Sequence, residues 1–184
     1  VLSFSICYMR ATRFDFLMGC DILRETKSAK AVWFPKHWDP FLTSPGLVPP
    51  VHKYLGALGA TIFPSVLADV LGVDIELYYW LFTPAIAALV PLFVFLVTRS
   101  FFGNAAVTYL ATLLFPQIFF FTTFLDLPRS VLGIILLLLM IHCLLKREHR
   151  LLAPIFGLGV VTAHYTCAYF AILILLSFLL ISLF

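Results

Sequence analysis

The sequence predicts an all-α membrane protein whose helices cross the bilayer several times. Of its 184 residues, 62% are hydrophobic and only 11% are charged, and the mean hydropathy is +1.07. A soluble domain carries roughly 25% charged residues, so this composition argues against a water-soluble globule. Long apolar runs separated by short charged turns indicate helices, because a helix satisfies its own backbone hydrogen bonds in lipid.

The composition also limits the partners and the chemistry. The net charge is +3, and the basic residues are scattered through loops rather than clustered. The sequence therefore predicts no nucleic-acid partner. The four cysteines form no CxxC pair, so neither a metal framework nor a disulfide framework is predicted. The chain begins at Val1 without a methionine and stops at Phe184 inside an apolar run. We therefore expect it to be the N-terminal fragment of a longer protein.

The chain divides into a first external loop, residues 10–54, and a region of membrane segments, residues 55–184. The loop combines charges, prolines and aromatics typical of a membrane interface. Within it, Gly19 to Lys30 contains few helix breakers and fits a short helix lying along the membrane. Leu55 to Val73 mixes apolar residues with Gly, Pro and Asp, which favours a broken or re-entrant segment over a spanning helix. We expect a bend or break near Pro64 or Gly72.

Five further apolar runs predict the remaining helices. They are Glu76 to Thr98, Asn104 to Phe124, Ser130 to Leu145, Leu151 to Ala163 and His164 to Phe184. The basic turns at Arg99-Ser100 and Lys146 to Arg150 lie two crossings apart, and the positive-inside rule makes their side cytoplasmic. Asp126 to Arg129, a predicted charged turn, and the turn at His164 then face outward. The first loop joins them there if Leu55 to Val73 dips in and returns, and moves to the opposite side if that segment crosses.

Two acids in the first loop are candidates for chemistry. Asp21 and Glu25 stand at positions i and i+4, so a helix would place them on one face. They are either solvated loop charges or a functional pair, as a general base or as ligands of a metal ion. Low-dielectric surroundings make a carboxylate more basic, which suits proton abstraction from an acceptor hydroxyl.

Further candidates lie at the other outward turns. Asp126 and Arg129 are either a turn cap with an interfacial anchor, or a binding site in which the guanidinium forks onto a phosphate. His164 and Tyr165 stand at a break between two apolar runs. The histidine is either a hydrogen-bonded structural residue or a group that contacts phosphate or transfers a proton. His142 is interpreted as a packing residue.

An ordered set of short motifs resembles a known family. It comprises Gly19-x-Asp21-Ile22-x-x-Glu25, Trp38-Asp39-Pro40, Pro64, Leu71-Gly72-Val73-Asp74, Val90-Pro91-Leu92, Arg129 and His164-Tyr165. The set resembles an archaeal family of polytopic membrane proteins of unknown function that is related to the GT-C glycosyltransferases. Cys20 departs from that family, in which this position is often His. The resemblance implies a polytopic transmembrane helix bundle of GT-C type.

The resemblance also implies an activity. GT-C enzymes use a sugar linked to a polyprenyl phosphate, and their first external loop carries an acidic catalytic residue. Here that residue would be Asp21, with Glu25 as second acid. Arg129 and His164 would neutralise the departing lipid phosphate. Tyr165 and Asp126 would complete the substrate site. Asp21 and Glu25 are also candidate ligands of a divalent ion, Mg²⁺ or Mn²⁺.

The predicted protein is therefore a multi-pass glycosyltransferase of the cell membrane, acting at the outer face of the bilayer. One alternative is a polytopic transporter or lipid flippase, in which proline-broken spans line a path. That alternative predicts an inverted repeat, and the sequence shows no internal self-similarity. Another is a non-catalytic membrane scaffold, in which charges of the first loop would tolerate substitution.

Overall fold

The structure, a computed structural model, describes Ser5 and residues 20–38, 57–117 and 128–182. All regular structure in these ranges is helical, and no strand occurs among them, which confirms the all-α prediction. We label the main helices α1 to α7 in chain order. They are α1 Cys20–Trp33, α2 Ile62–Leu71, α3 Ile75–Phe102, α4 Ala105–Leu114, α5 Pro128–Leu145, α6 Ala153–Ala163 and α7 Tyr165–Ser182.

Helix α1 lies inside the predicted first loop and is amphipathic. Its buried residues recur every three or four positions and so form one stripe along the helix: Ile22, Glu25, Thr26, Ser28, Ala29 and Val32. The apolar part of this stripe packs with residues of α2 and the start of α3. The helix therefore lies against the bundle through a stripe that includes the charged residue Glu25.

Helix α2 confirms that Leu55 to Val73 contains no spanning helix among its described residues. It covers ten residues, about 15 Å at 1.5 Å per residue, half of a bilayer core. The chain breaks at Gly72, whose left-handed φ of 65° ends the helix. Pro64 causes no break, because it stands in the first turn, where its missing N–H is not needed.

Two of the described helices, α3 and α5, are long and apolar enough to cross a membrane by length and composition. In α3, five residues in π-helical conformation, Tyr78–Phe82, precede the buried Pro84. Such a widened turn adjusts the backbone ahead of a residue that cannot donate an N–H. Only 33% of the most apolar window of α3 and 44% of that of α5 are buried. α3 carries exposed large apolar side chains, among them Leu89 and Leu92, whereas no large apolar side chain of α5 is exposed.

Two predicted boundaries are corrected by the structure. The predicted run Asn104 to Phe124 forms a helix only as far as Leu114, followed by the 3-10 turn Phe115–Gln117, which contains the helix-breaking Pro116. The rest of that run, with Asp126, lies outside the described residues. Arg129 does not belong to a turn, because α5 already begins at Pro128. Proline suits that first position, since the first N–H of a helix has no partner in the helix.

Helix α5 is the centre of the bundle and packs against α3, α6 and α7. One apolar cluster joins it to α3 through Ala87, Val90, Val131 and Ile135. A second cluster joins its carboxyl-terminal half to α6 and α7. The eighteen residues of α5 span about 27 Å, so Arg129 and the basic turn that starts at Lys146 lie at opposite ends of the bundle.

Candidate functional site

A buried ion pair joins α1 to the beginning of α5. Glu25 has no exposed surface, and Arg129 is 9% exposed. Oε1 of Glu25 lies 3.2 Å from Nε of Arg129, and Oε2 accepts a hydrogen bond of 3.2 Å from the backbone N–H of Arg129. The carboxylate therefore satisfies an N–H that the helix leaves without a partner, where the helix dipole also favours an anion. One acid thus neutralises the guanidinium and caps α5.

Two buried tyrosines of α3 complete the surroundings of Glu25. Tyr78 and Tyr79 are 4% and 2% exposed, and the Glu25 carboxylate interacts electrostatically with both. The hydroxyl of Tyr79 donates a hydrogen bond of 3.2 Å to the carbonyl oxygen of Ala60. The ion pair thus lies among aromatic rings and helix backbone, where water is largely excluded.

A second polar contact lies beside the ion pair. The ring atom Nε2 of His164 is 3.0 Å from Oγ of Ser130, the residue that follows Arg129. His164 has an extended backbone at the turn between α6 and α7, where its N–H still bonds to Val160. Burial and then the nearby Arg129 charge lower the pKa of His164 to about 4, so the imidazole is neutral at pH 7. Its Nδ1 is buried and has no hydrogen-bond partner among the described residues.

Tyr165 borders this group on its exposed side. The guanidinium of Arg129 lies 5.8 Å from the centroid of the Tyr165 ring, which stacks on His164 at 4.9 Å. Tyr165 is 64% exposed, so an aromatic ring marks the surface next to the buried charges. We call Glu25, Arg129, Ser130, His164 and Tyr165 the Arg129 cluster.

Glycines allow the backbones around the cluster to approach closely. A Cβ on Gly133 of α5 would lie 2.8 Å from Cβ of His164 and 3.1 Å from Sγ of Cys167. A Cβ on Gly59 would lie 3.1 Å from Cα of Ala163, which directly precedes His164. Small residues at such crossings are typical of helices packed in membranes. Neither glycine was predicted to be such a crossing point.

The exposed edge of α1 is held by a separate group of polar contacts. Nε1 of Trp33 donates a hydrogen bond of 2.6 Å to Oδ1 of Asp69 in α2, and Lys36 also bonds to Asp69. Lys30 pairs with Glu76 at the start of α3. The hydrogen bonds from Lys36 and Trp33 lower the pKa of the Asp69 carboxyl. These contacts fix α1 on the bundle independently of Glu25.

Four of the six predicted site residues come together in the Arg129 cluster: Glu25, Arg129, His164 and Tyr165. Asp21 lies in the first turn of α1, but its side chain is outside the described residues, as is Asp126. The interpretation of Glu25 as a solvated loop charge is wrong, because its carboxylate is buried on Arg129.

The predicted metal site finds no support in the contacts of Glu25. Its carboxylate lies against a guanidinium, whose charge would repel a cation. The described residues contain no group of three or more His, Cys, Asp or Glu able to hold a metal ion. Glu25 in this arrangement is a partner of Arg129.

At the opposite end of the bundle, His142 is more than a packing residue. Its Nδ1 lies 3.1 Å from Oγ of Ser100, so a polar contact joins α5 to the end of α3. Both side chains are half-buried. The contact could not be predicted from the sequence, because the partners are 42 positions apart and neither stands in a recognisable motif.

A small cleft lies between the start of α3 and the start of α5, next to the tyrosines that surround Glu25. Its lining is largely apolar and includes Phe63, Tyr79, Ile86, Val131 and Leu132. The cluster thus combines buried charges with neighbouring apolar space.

No protein-family model matches the chain, and comparisons with curated proteins and with solved structures find no match. The resemblance to GT-C glycosyltransferases therefore stays a prediction from the motifs.

Proposed function

We propose that the chain forms part of a multi-pass membrane glycosyltransferase of GT-C type. It would transfer a sugar from a polyprenyl-phosphate-linked donor to an acceptor at the outer membrane face. The Arg129 cluster would hold the phosphate of the donor. The observation that carries the proposal is the assembly of Glu25, Arg129, His164 and Tyr165, from distant parts of the chain, at one end of the bundle.

The bilayer as a partner is supported by the apolar surfaces of the helices. Large apolar side chains are exposed along α4, α6 and α7 as well as on α3; those of α7 include Phe170, Leu173, Leu176 and Leu180. Monomeric soluble proteins rarely expose contiguous apolar surface of this extent. A lipid environment would cover it without a further protein partner.

A lipid phosphate fits the chemistry of the cluster. An arginine among apolar helices is costly to keep and is retained most often for function. Its guanidinium matches phosphate geometry, and the beginning of α5 adds oriented N–H groups. His164 is neutral at pH 7 and offers Nδ1 as a further polar atom. Tyr165 would lie at the level of the lipid headgroups, where aromatic rings are enriched.

The proposed reaction divides its roles between α1 and α5. Asp21 takes the proton of the acceptor hydroxyl, whose oxygen bonds to the anomeric carbon of the sugar. The bond from that carbon to the phosphate oxygen breaks, and both electrons leave with the lipid phosphate. Arg129 stabilises the negative charge that develops there. Because Glu25 ties α1 to α5, the helix that carries Asp21 is attached to the phosphate site.

The test is transfer of radiolabelled sugar from a polyprenyl-phosphate donor by the full-length protein in proteoliposomes. Arg129→Gln should reduce transfer about 10²-fold or more, the usual cost of losing one group that stabilises developing charge. Arg129→Lys should retain part of the activity, because it keeps the charge and loses the fork. Arg147→Gln is the matched control, since Arg147 is exposed at the other end of α5.

The outcome also separates the proposed transferase from the predicted alternative. A flippase would move the intact donor to the other leaflet without forming a new glycoside. Movement of intact donor that depends on Arg129, with no labelled product, would replace glycosyl transfer by lipid transport. Equal transfer by wild type and Arg129→Gln would refute the phosphate site.

A further inference from the structure

We infer that the basic turn, Lys146 to Arg150, binds the headgroup phosphate of an anionic phospholipid. The turn joins α5 to α6 at the end of the bundle opposite the Arg129 cluster. Such a site requires that α3 and α5 cross a bilayer, and it does not depend on sugar transfer. It is therefore a second binding site, separate from the site proposed for the donor.

The basic turn carries an excess of positive charge. All five of its residues are exposed, and three of them are permanently cationic: Lys146, Arg147 and Arg150. The acid of the turn, Glu148, lies 3.7 Å from His149. By contrast, the two lysines at the exposed edge of α1 each pair with a carboxylate. Within the described residues, the cations of the turn have no such partners, so an anion from outside the chain can bind there.

The guanidinium of Arg150 is already held in position. Its Nε donates a hydrogen bond of 3.3 Å to the carbonyl oxygen of Leu144, near the end of α5. Its central carbon lies 5.1 Å from the centroid of the Phe178 ring of α7. These contacts use Nε and one face of the guanidinium, and the described residues show no bond to its two terminal nitrogens. An ordered guanidinium loses little side-chain entropy when it binds a phosphate oxygen.

A further cation lies at the same end of the bundle. Arg99 stands in the last turn of α3, and its neighbour Ser100 contacts His142, one helical turn before Lys146. Two helices therefore contribute positive charge to this end. Basic residues that several membrane helices share in this way are typical of binding sites for anionic lipid headgroups.

Apolar side chains beside the turn favour a phospholipid over a free phosphate or an acidic protein segment. Leu151 follows Arg150 directly and is 90% exposed, and Ile155 and Leu158 of α6 are 65% and 68% exposed. A free phosphate or an acidic segment would bind the cations and leave this apolar surface uncovered. A phospholipid covers both, because its phosphate binds the turn while its acyl chains lie along α6.

The test is titration of the full-length protein in detergent with dioleoyl phosphatidylglycerol or dioleoyl phosphatidylcholine, with bound lipid counted by native mass spectrometry. Wild type should bind the anionic lipid about 10-fold or more tightly than the zwitterionic one. Lys146→Gln and Arg150→Gln should each weaken phosphatidylglycerol binding about 5-fold and leave phosphatidylcholine binding unchanged. Arg150→Lys should retain part of the affinity, because it keeps the charge and loses the fork. Lys27→Gln, the same change at an exposed lysine of α1, is the matched control and should bind like wild type.

Equal affinity of wild type for the two lipids would overturn the site, and so would an equal loss of affinity in Lys27→Gln. Inorganic phosphate that binds as tightly as phosphatidylglycerol would refute the lipid as the occupant. If Arg150→Gln does not fold, Lys146→Gln decides, because an unchanged affinity for phosphatidylglycerol contradicts the site. These outcomes do not affect the phosphate site at the Arg129 cluster, which lies at the other end of the bundle. Phosphatidylglycerol in excess fills the basic turn, so a prenyl phosphate then reports on the Arg129 cluster alone.

Discussion

The first prediction concerns the contribution to stability of the ion pair that joins α1 to α5. At the 3.2 Å between Nε of Arg129 and Oε1 of Glu25, Coulomb's law with an effective dielectric constant near 20 gives about 5 kcal/mol of attraction. Desolvating the two ions offsets much of this. Removing one partner takes the ion-pair contact away from the other buried charge, which costs about 3–5 kcal/mol.

A double-mutant cycle measures the pair. We expect Glu25→Met and Arg129→Met each to lower the free energy of unfolding by about 3–5 kcal/mol. The double variant, which removes both charges of the pair, should lose far less than the sum of the two, with a coupling energy of about 3 kcal/mol or more. Unfolding of the full-length protein in bicelles by added SDS, followed by far-UV circular dichroism, gives the four values.

The exposed pair Lys30–Glu76 supplies the control cycle. Its side chains are 29% and 64% exposed, so its coupling should stay below about 1 kcal/mol. If the losses for Glu25 and Arg129 simply add, the pair does not couple α1 to α5, and the reasoning from its burial is refuted.

Three further predictions follow from single residues. Asp21→Asn should lower sugar transfer by about 10²–10⁴-fold, the usual cost of losing a general base, at unchanged protein level; near-normal turnover in the proteoliposome assay would remove Asp21 from the mechanism. Gly133→Ala should lower the free energy of unfolding by about 1–3 kcal/mol, because its Cβ would lie 2.8 Å from Cβ of His164. Gly157→Ala, whose Cβ would lie 3.4 Å from the flexible end of Met140, should cost clearly less in the same SDS titration, and equal losses would contradict the close approach. Because the pKa of His164 is lowered to about 4 from about 6.5 in the unfolded chain, the unfolded state binds more protons between these values. Stability should therefore fall from about pH 6.5 to pH 4, and His164→Gln should flatten that part of the unfolding profile; an unchanged slope would show that His164 does not titrate in this way.

Local sequence patterns predicted the long elements well. The Leu-rich run with a basic turn after it predicted α5 as Ser130 to Leu145, within two residues of its observed start. Glycine at position 72 marked the end of α2, because only glycine adopts a left-handed backbone at no steric cost. Both features depend on residues that are neighbours in the chain.

The burial of Glu25 could not be predicted from local sequence patterns. A carboxylate in a polar segment is usually solvated, and its partner Arg129 is 104 positions away. The end of α4 at Leu114 was not predicted, because the apolar run continues past Pro116 in the sequence. The contact between His142 and α3 likewise depends on two residues that are distant in the chain. Four residues that the sequence marks as candidates, Glu25, Arg129, His164 and Tyr165, lie together in the Arg129 cluster.

The measurement that tests the central claim most directly is photocrosslinking of the full-length protein with a prenyl phosphate that carries a diazirine next to the phosphate. The phosphate site at the Arg129 cluster predicts crosslinks in peptides that contain the start of α7 at Tyr165 and the start of α5, and their loss in Arg129→Gln. Crosslinks concentrated on residues 146–150 at the opposite end of the bundle, or labelling at Tyr165 that is undiminished in Arg129→Gln, would contradict it.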